Sequence, residues 1–221
     1  VSRSSGPFKD VDENTLIFMP AGNFTTETKN VVIGGVCDNL QMEGDGQHAF
    51  NVAKNFTAAK ATLNRTFTEG KRSTVYLPFA VSQSAADALG SFYVYTGIEG
   101  TTVNMTKVTE GGLKANTPYI YIPEGSIGKV QIDNAEVKTA VLASYDFIGT
   151  YEKLVWPVDQ DNIFCFAGDN TGGFEVGMFA RIGAGSYVPP FRAYMRKVDV
   201  DSPVLDINWI DGEATGIETF D

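Results

Sequence analysis

Hydrophobic and polar positions alternate with a period of two in many short segments of this chain, which is the pattern of half-buried β-strands. Residues 58–67 are the clearest case, because Leu63 and Arg65 alternate with lysine, asparagine and threonines. Glycine, proline, asparagine and aspartate, which favour turns, bound such segments. The pattern predicts strands at residues 15–19, 30–33, 40–42, 58–67, 73–79, 92–96, 102–108, 118–122, 129–132, 137–142, 145–151, 163–167, 174–182 and 193–197.

One segment, residues 82–89, has helical character instead. Ser82 or Ser84 is suited to cap its N-terminus, and Gly90 is suited to end it. Strands and helices do not alternate along the chain, so an α/β fold is disfavoured. The predicted fold is therefore all-β with one short helix near 82–89. We expect an antiparallel β-sandwich, either as a single body or as two packed β lobes divided near residues 97–112.

The ends of the chain lack this periodicity. Residues 1–13 are polar and are predicted to form a flexible N-terminal linker. Residues 14–205 carry the predicted β-sandwich module, and residues 206–221 are predicted to form a C-terminal linker.

Composition and charge restrict the classes of molecule that this chain is expected to bind. Of 221 residues, 43% are hydrophobic and 20% charged, which is typical of a globular chain rather than a disordered one. The net charge is −10, with 17 basic and 27 acidic residues. A nucleic-acid partner needs a basic surface, so this balance argues against one. No apolar run is long enough to predict a transmembrane segment.

The two cysteines leave two interpretations open. Cys37 and Cys165 both lie in apolar stretches and are far apart in sequence. An oxidising compartment permits a disulfide between them, whereas their apolar surroundings equally suit two buried free thiols. In either case we assign them a structural role.

Four segments, in order along the chain, form a composite motif: residues 65–67 with 73–79 (RTF and STVYLPF), 113–119 (LKANTPY), 147–151 (FIGTY) and 190–194 (PFRAY). Together they resemble the β-rich C-terminal module of secreted and surface leucine-rich-repeat-type proteins of gut Bacteroidetes. The sequence departs from that pattern at Arg72, where relatives often have Trp, and at Tyr76, where they often have Cys.

The resemblance implies a secreted or cell-surface bacterial protein in which this module follows a repeat domain. Residues 211–217 resemble the linker that precedes a sorting or anchoring segment in such proteins. The resemblance does not imply an enzyme.

The sequence gives little indication of a catalytic site or a metal-binding site. His48 is the single histidine and lies in a loop-like segment, and no nucleophile motif accompanies it. We therefore predict no catalytic residue, no cofactor and no metal site. Calcium remains open, because alternate acidic spacings occur that also suit solvated turns: Asp10, Asp12 and Asn14; Asp159 and Asp161; Asp199 and Asp201.

Several residues are better candidates for ligand binding than for catalysis. Trp156, Trp209 and Tyr187 lie in polar, turn-like surroundings and are candidates to stack against a glycan, although either Trp also suits a core anchor. Arg65 and Arg192 interrupt apolar runs. Such an arginine either binds a ligand carboxylate or pins the structure, and we predict the structural role for both.

These observations favour a non-catalytic extracellular or cell-surface β module with a structural or adhesive role, whose partner is a host protein or a glycan. The alternative is a dedicated carbohydrate-binding module. A third hypothesis is a carboxylate-based glycoside hydrolase, which would need two acids about 5–10 Å apart.

Overall fold

The computed structural model describes residues 2, 4–12, 14–24, 29–44, 46–141, 146–168, 176–197 and 200–212. In these residues the prediction of an all-β fold with one short α-helix is confirmed, and no helix there has the length and apolar character to span a bilayer. The elements are a 3-10 helix Gly6–Phe8, α1 Gln83–Leu89, and the strands β1 Ile17–Met19, β2 Val31–Ile33, β3 Val36–Cys37, β4 Leu40–Glu43, β5 Phe56–Phe67, β6 Ser73–Tyr76, β7 Gly90–Glu99, β8 Thr102–Lys107, β9 Pro118–Pro123, β10 Ile127–Val137, β11 Phe147–Thr150, β12 Leu154–Val155, β13 Ile163–Phe166, β14 Phe179–Arg181, β15 Tyr187–Val188, β16 Arg192–Arg196 and β17 Val204–Ile210.

The helix forms where its capping residues predict it. The Ser82 hydroxyl accepts a hydrogen bond from the Ala85 N–H at 3.4 Å, which satisfies one of the free donors of the first turn. Gly90 follows at φ 141°, a conformation that residues with a Cβ rarely adopt. The helix therefore stops where β7 starts.

The first sheet is built around the long strand β5. Within the described residues it contains six strands, ordered β1-β2-β3-β5-β10, with β4 also paired to β5. β10 runs antiparallel to β5 along nearly the whole of its length. The two strands thereby form a broad surface on which the second sheet packs.

The second sheet curls until strands from its two ends meet. Its nine described strands are ordered β11-β16-β13-β14-β17-β8-β7-β9-β6. The Tyr76 N–H of β6 donates to the Phe191 carbonyl beside β16 at 3.1 Å, and the Ala193 N–H of β16 donates to Thr74 Oγ1 at 3.1 Å. These bonds make the sheet a nearly closed barrel. A separate ribbon of β12 and β15 lies beside it.

Two hydrophobic cores share the strands of this curled sheet. Along β7, Phe92 and Val94 contact the core between the two sheets, whereas Tyr93 contacts the core inside the curl. The period-two alternation of strands produces this division, because successive side chains point to opposite faces. The inner core also contains Val103, Met105, Ile120, Phe147, Phe164, Phe179, Ala193, Met195 and Leu205.

Most pairs of described strands are antiparallel, but some are parallel, which the sequence pattern did not indicate. Among the described strands, β1–β2, β3–β5, β4–β5 and β8–β17 are parallel pairs. The last of these joins Trp209 to Met105, which are distant in sequence. Turn signals identify hairpins between consecutive strands, so they do not reveal a pairing of this kind.

The range 97–112 does not divide the chain into two lobes. It contains most of the β7–β8 hairpin, whose strands pair from Tyr93–Lys107 to Glu99–Thr102. Both strands belong to the second sheet. The chain therefore stays in one sheet through this range.

The C-terminal linker was predicted to begin too early. Val204–Ile210 forms β17, which pairs with β8 on one side and with β14 on the other. Because Leu205 is buried in the inner core, this segment forms a strand rather than a linker. Residues 213–221 lie outside the described residues.

Some predicted strand bounds also change. The segment 129–132 lies within the longer strand β10, whereas the predicted strand 137–142 is wrong, because β10 ends at Val137 and residues 138–141 form no strand. β14 is shorter than the predicted strand 174–182. Residues 142–145 and 174–175, which the predicted strands include, lie outside the described residues.

Candidate binding cleft

The Arg65 side chain joins the two sheets. It is 3% exposed, and its Nη1 donates to the carbonyl oxygens of Thr74 at 2.7 Å and Phe191 at 3.4 Å. Its guanidinium also lies 4.5 Å from the ring centroid of Phe67. A buried cation requires such partners, and these contacts link β5 to β6 and to the backbone at Phe191.

The contact between the two sheets around Arg65, called the joint below, also contains stacked aromatic rings. The rings of Tyr76 and Tyr151 stack with centroids 4.4 Å apart, and the Tyr151 hydroxyl donates to Asn116 Oδ1 at 2.6 Å. Burial raises the pKa of both tyrosines, so they remain neutral donors. Gly149 packs directly beneath the Tyr76 ring. The four segments that carry the family resemblance thus meet at the joint, where they stabilise the packing of the sheets.

An open cleft of about 780 Å³ lies on the other side of β6 and β16. Strands β6, β13, β14 and β16 line it together with the loop that contains residues 183–186. Its residues with polar or reactive side chains include Arg72, Ser73, Cys165, Arg181, Tyr187 and Arg192.

Two arginines of the cleft are held by aromatic rings. The guanidinium of Arg72 lies 4.3 Å from the ring centroid of Trp209. Arg181 lies 5.5 Å from the ring centroid of Phe164, and its Nη2 donates to the carbonyl oxygens of Val200 and Ser202. These contacts restrict the rotamers of both side chains.

The two tryptophans are half-buried, and neither lines the cleft. Trp209 packs on the inner core, with Tyr93 edge-on at 4.9 Å and Arg72 above its ring. Trp156 packs on Tyr194 at 5.4 Å. The Trp156 backbone exchanges hydrogen bonds with Ser186 O and Gly185 N, which positions the loop at the cleft wall. Both indoles therefore support the cleft rather than forming its surface.

Tyr187 is the predicted glycan-binding residue that does line the cleft. Its side chain is 57% exposed, and it pairs across the β12–β15 ribbon with the exposed Val155. The Lys153 ammonium lies 4.6 Å from its ring centroid and donates to Gln47 Oε1. The exposed Tyr187 ring therefore lies beside the Lys153 ammonium group, which is able to donate hydrogen bonds.

The remaining candidates do not converge on a reactive site. The exposed His48 places Nε2 3.3 Å from Asp12 Oδ2. The Asp12 carboxylate accepts a hydrogen bond from the Asn14 N–H two residues on, as turn carboxylates do, and the Asp159 carboxylate accepts one from the Ala184 N–H of a distant loop. Within the described ranges, no three His, Cys, Asp or Glu side chains come together as metal ligands. Asp199 lies outside the described residues.

The two cysteines are free thiols in separate sheets. Cys37 is fully buried in β3, and burial raises its pKa to about 11. Cys165 is half-buried in β13 at the cleft, and burial raises its pKa to about 12. The neutral thiol dominates at physiological pH in both cases, which makes both groups weak nucleophiles.

We expect protein purified without reductant to contain two titratable thiols after denaturation. In the native state at pH 8, alkylation of both should be slow, because each folded-state pKa lies well above that pH. Mass spectrometry after alkylation checks both statements. A mass 2 Da below the reduced value, reversed by reductant, would contradict them.

Comparison with protein-family models, with curated proteins and with solved structures finds no match for this chain. Sequence reasoning identified Tyr187 as a binding candidate and assigned Arg192 a structural role, but it did not place Arg181 or Arg72 at the cleft. The one available signal was the arginine at position 72 where the resembled family often has Trp.

Proposed function

We propose that this chain is a non-catalytic, adhesive β module of a bacterial cell surface and that it binds carbohydrate in the cleft. The observation that carries the proposal is an open cleft lined by Tyr187, which is 57% exposed, together with polar residues such as Ser73, Thr74 and Ser186. Sugars bind by stacking a pyranose face on an aromatic ring while polar groups hold the hydroxyls.

Several features support binding rather than hydrolysis. The described residues that line the cleft include no Asp, Glu or His. A glycoside hydrolase of the usual kind needs two carboxyl groups on either side of the scissile bond. The high pKa of Cys165 also makes this thiol a poor nucleophile.

The location of the module is part of the proposal. Secretion, display on the surface of a gut bacterium and a position after a repeat domain all rest on the resemblance of the four joint segments. A host protein is the alternative partner. Cell fractionation of the native bacterium tests the location, and recovery of the chain only in the cytoplasm would contradict it.

Replacement of Tyr187 by Ala is expected to weaken glycan binding by roughly tenfold, because the stacking platform is removed. A glycan array should first identify ligands, and affinity electrophoresis of the wild type and variant should then measure retention. Phe24→Ala is the matched control, since this aromatic side chain is also exposed but lies outside the cleft. Equal retention of Tyr187→Ala and wild type, or a wild type that binds no glycan, would contradict the proposal.

A further inference from the structure

We infer that two copies of this chain associate through the open edge of β10, with Lys129 of each copy opposite Asp133 of the other. The inference goes beyond the proposed function and depends neither on the cleft nor on its ligand.

Strand β10 forms one edge of the first sheet. Among the described strands it pairs with β5 alone, and on its other side only the C-terminal end is covered, where Val137 bridges to Phe79 and the Lys138 N–H donates to the Pro78 carbonyl at 2.7 Å. The strand at the opposite end of this sheet, β1, is three residues long. The edge of β10 is therefore the longest one in the described fold on which a further strand is able to pair with backbone donors and acceptors.

Residues 129–133 are the regular part of this edge. The register with β5 shifts between Ile127 and Lys129, and Asn134 has a φ of 53°, so the strand is irregular on either side of the stretch. Side chains within it alternate between the exposed outer face of the sheet and the core between the two sheets. The outward side chains are Lys129, Gln131 and Asp133, and the side chains that contact the core are Val130 and Ile132.

The charges of this stretch are complementary to those of a second copy. A two-fold axis perpendicular to the sheet pairs β10 antiparallel with its copy and keeps each face of the sheet continuous. With Gln131 opposite Gln131 of the second copy, Lys129 lies opposite Asp133 twice, once on each side of the axis. Centring the pairing on Val130 or Ile132 places neither charge opposite its counterpart, and centring it on Lys129 or Asp133 places like charges together. Opposite charges stabilise a cross-strand pair and like charges destabilise it, so the register centred on Gln131 is favoured.

The face toward the core favours the same register. Val130 of one copy then lies opposite Ile132 of the second copy, again twice. Val130 is 3% exposed, whereas Ile132 is half-buried and packs against the core from its margin. Pairing would cover the remaining apolar surface of Ile132, which is favourable. The two Gln131 amides, which each donate and accept, are able to bond to one another on the outer face.

This edge is selective for its own copy. Charged side chains on an edge strand commonly prevent it from pairing with other strands, and the net charge of −10 also opposes association. In residues 129–133 the two charges balance, however, and neither Lys129 nor Asp133 belongs to an ion pair of the described residues. Asp133 lies opposite Lys60 of β5, so a second copy would extend a row of alternating charge across the sheets. Because the two-fold pairing occupies the open edge of both copies, assembly stops at a dimer.

Sedimentation velocity of the whole chain in low-salt buffer tests for the dimer. A short edge makes a small interface, so we expect a reversible shift from monomer to dimer between about 1 μM and about 500 μM, the range of weak association. Amide hydrogen exchange in residues 129–133 should slow over the same range of protein concentration, since pairing protects the backbone N–H groups that face outward.

Charge reversal assigns the contact to this register. Lys129→Asp and Asp133→Lys each convert both opposite-charge pairs into like-charge pairs, and each should weaken association tenfold or more. The double variant exchanges the two charges and should restore association to within about threefold of the wild type. Lys114→Asp is the matched control, because it makes the same change of charge at an exposed position outside β10 and should have less than a twofold effect. Circular dichroism and thermal unfolding verify that each variant folds.

Three outcomes would overturn the inference. The first is a chain that stays monomeric to the highest concentration. The second is a dimer that persists in Lys129→Asp, or that Lys114→Asp weakens equally, since the contact would then lie elsewhere or follow net charge alone. The third is a folded double variant that does not associate, which would exclude the register centred on Gln131.

Discussion

Replacement of Gly149 by Ala is expected to destabilise the protein by about 3 kcal/mol or to prevent folding, which is the upper end of the cost of overpacking a core. A Cβ at this position would lie closer than 3.0 Å to ring atoms of Tyr76. That ring is unable to move away, because Tyr151 stacks on it at 4.4 Å. Thermal unfolding should show a midpoint lowered by roughly 6–12 °C for a chain of this size.

Gly128→Ala is the matched control for this substitution. Gly128 also lies in a strand, and an added Cβ there meets no atom within 4 Å. It should change stability by less than about 0.5 kcal/mol, as exposed substitutions do. In a Tyr76→Ala background the further effect of Gly149→Ala should be small, since the clashing ring is gone. A large effect in that background would show that the Gly149 backbone, rather than the ring, sets the cost.

Replacement of Arg65 by Met is expected to lower the free energy of unfolding by about 1.5–3 kcal/mol, the range for losing hydrogen bonds to a charged group. The Thr74 carbonyl would lose its donor at 2.7 Å, and the link from β5 to β6 would be lost with it. Chemical denaturation measures the change. Burial strengthens the expectation, because Arg65 is 3% exposed and water does not readily replace it.

Lys60→Met provides the comparison for Arg65, since it removes a positive charge from an exposed position of the same strand. It should be nearly neutral. Arg65→Lys should also destabilise, because a more strongly hydrated ammonium is costlier to bury and loses the contact of the planar guanidinium with the Phe67 ring. Replacing a buried charge with a hydrophobic residue is sometimes neutral. An Arg65→Met variant as stable as the wild type would therefore show that the pin contributes specificity rather than stability.

The joint and the cleft have different roles although they share strands β6 and β16. Tyr76 and Phe191 contribute to the joint, whereas Ser73 and Arg192 contribute to the cleft. Segments that resemble those of another family chiefly preserve the way the sheets pack. Ser73 and Arg192 belong to these segments as well, whereas Arg181 and Tyr187 of the cleft lie outside them.

Local features of the structure could be predicted from single segments. The helix was predicted because Ser82 and Gly90 mark its ends within a few residues of one another. β5 was predicted because its alternation extends over many positions. Arg65 was recognised as a pin because an arginine within an apolar strand must find partners. Trp156 and Trp209 were misleading, since polar neighbours in sequence did not reveal the packing of their indoles.

The sequence by itself determined the all-β class, the positions of most strands and the helix, because these follow from side-chain periodicity and turn chemistry within about ten residues. Only the tertiary structure decided the parallel pairing of β8 with β17, the curl of the second sheet and the cleft of three arginines. Arg72, Arg181 and Arg192 lie in three different strands or loops, and their proximity follows from pairings between distant segments. Hydrophobic burial across the whole chain selects those pairings, and no local pattern encodes them.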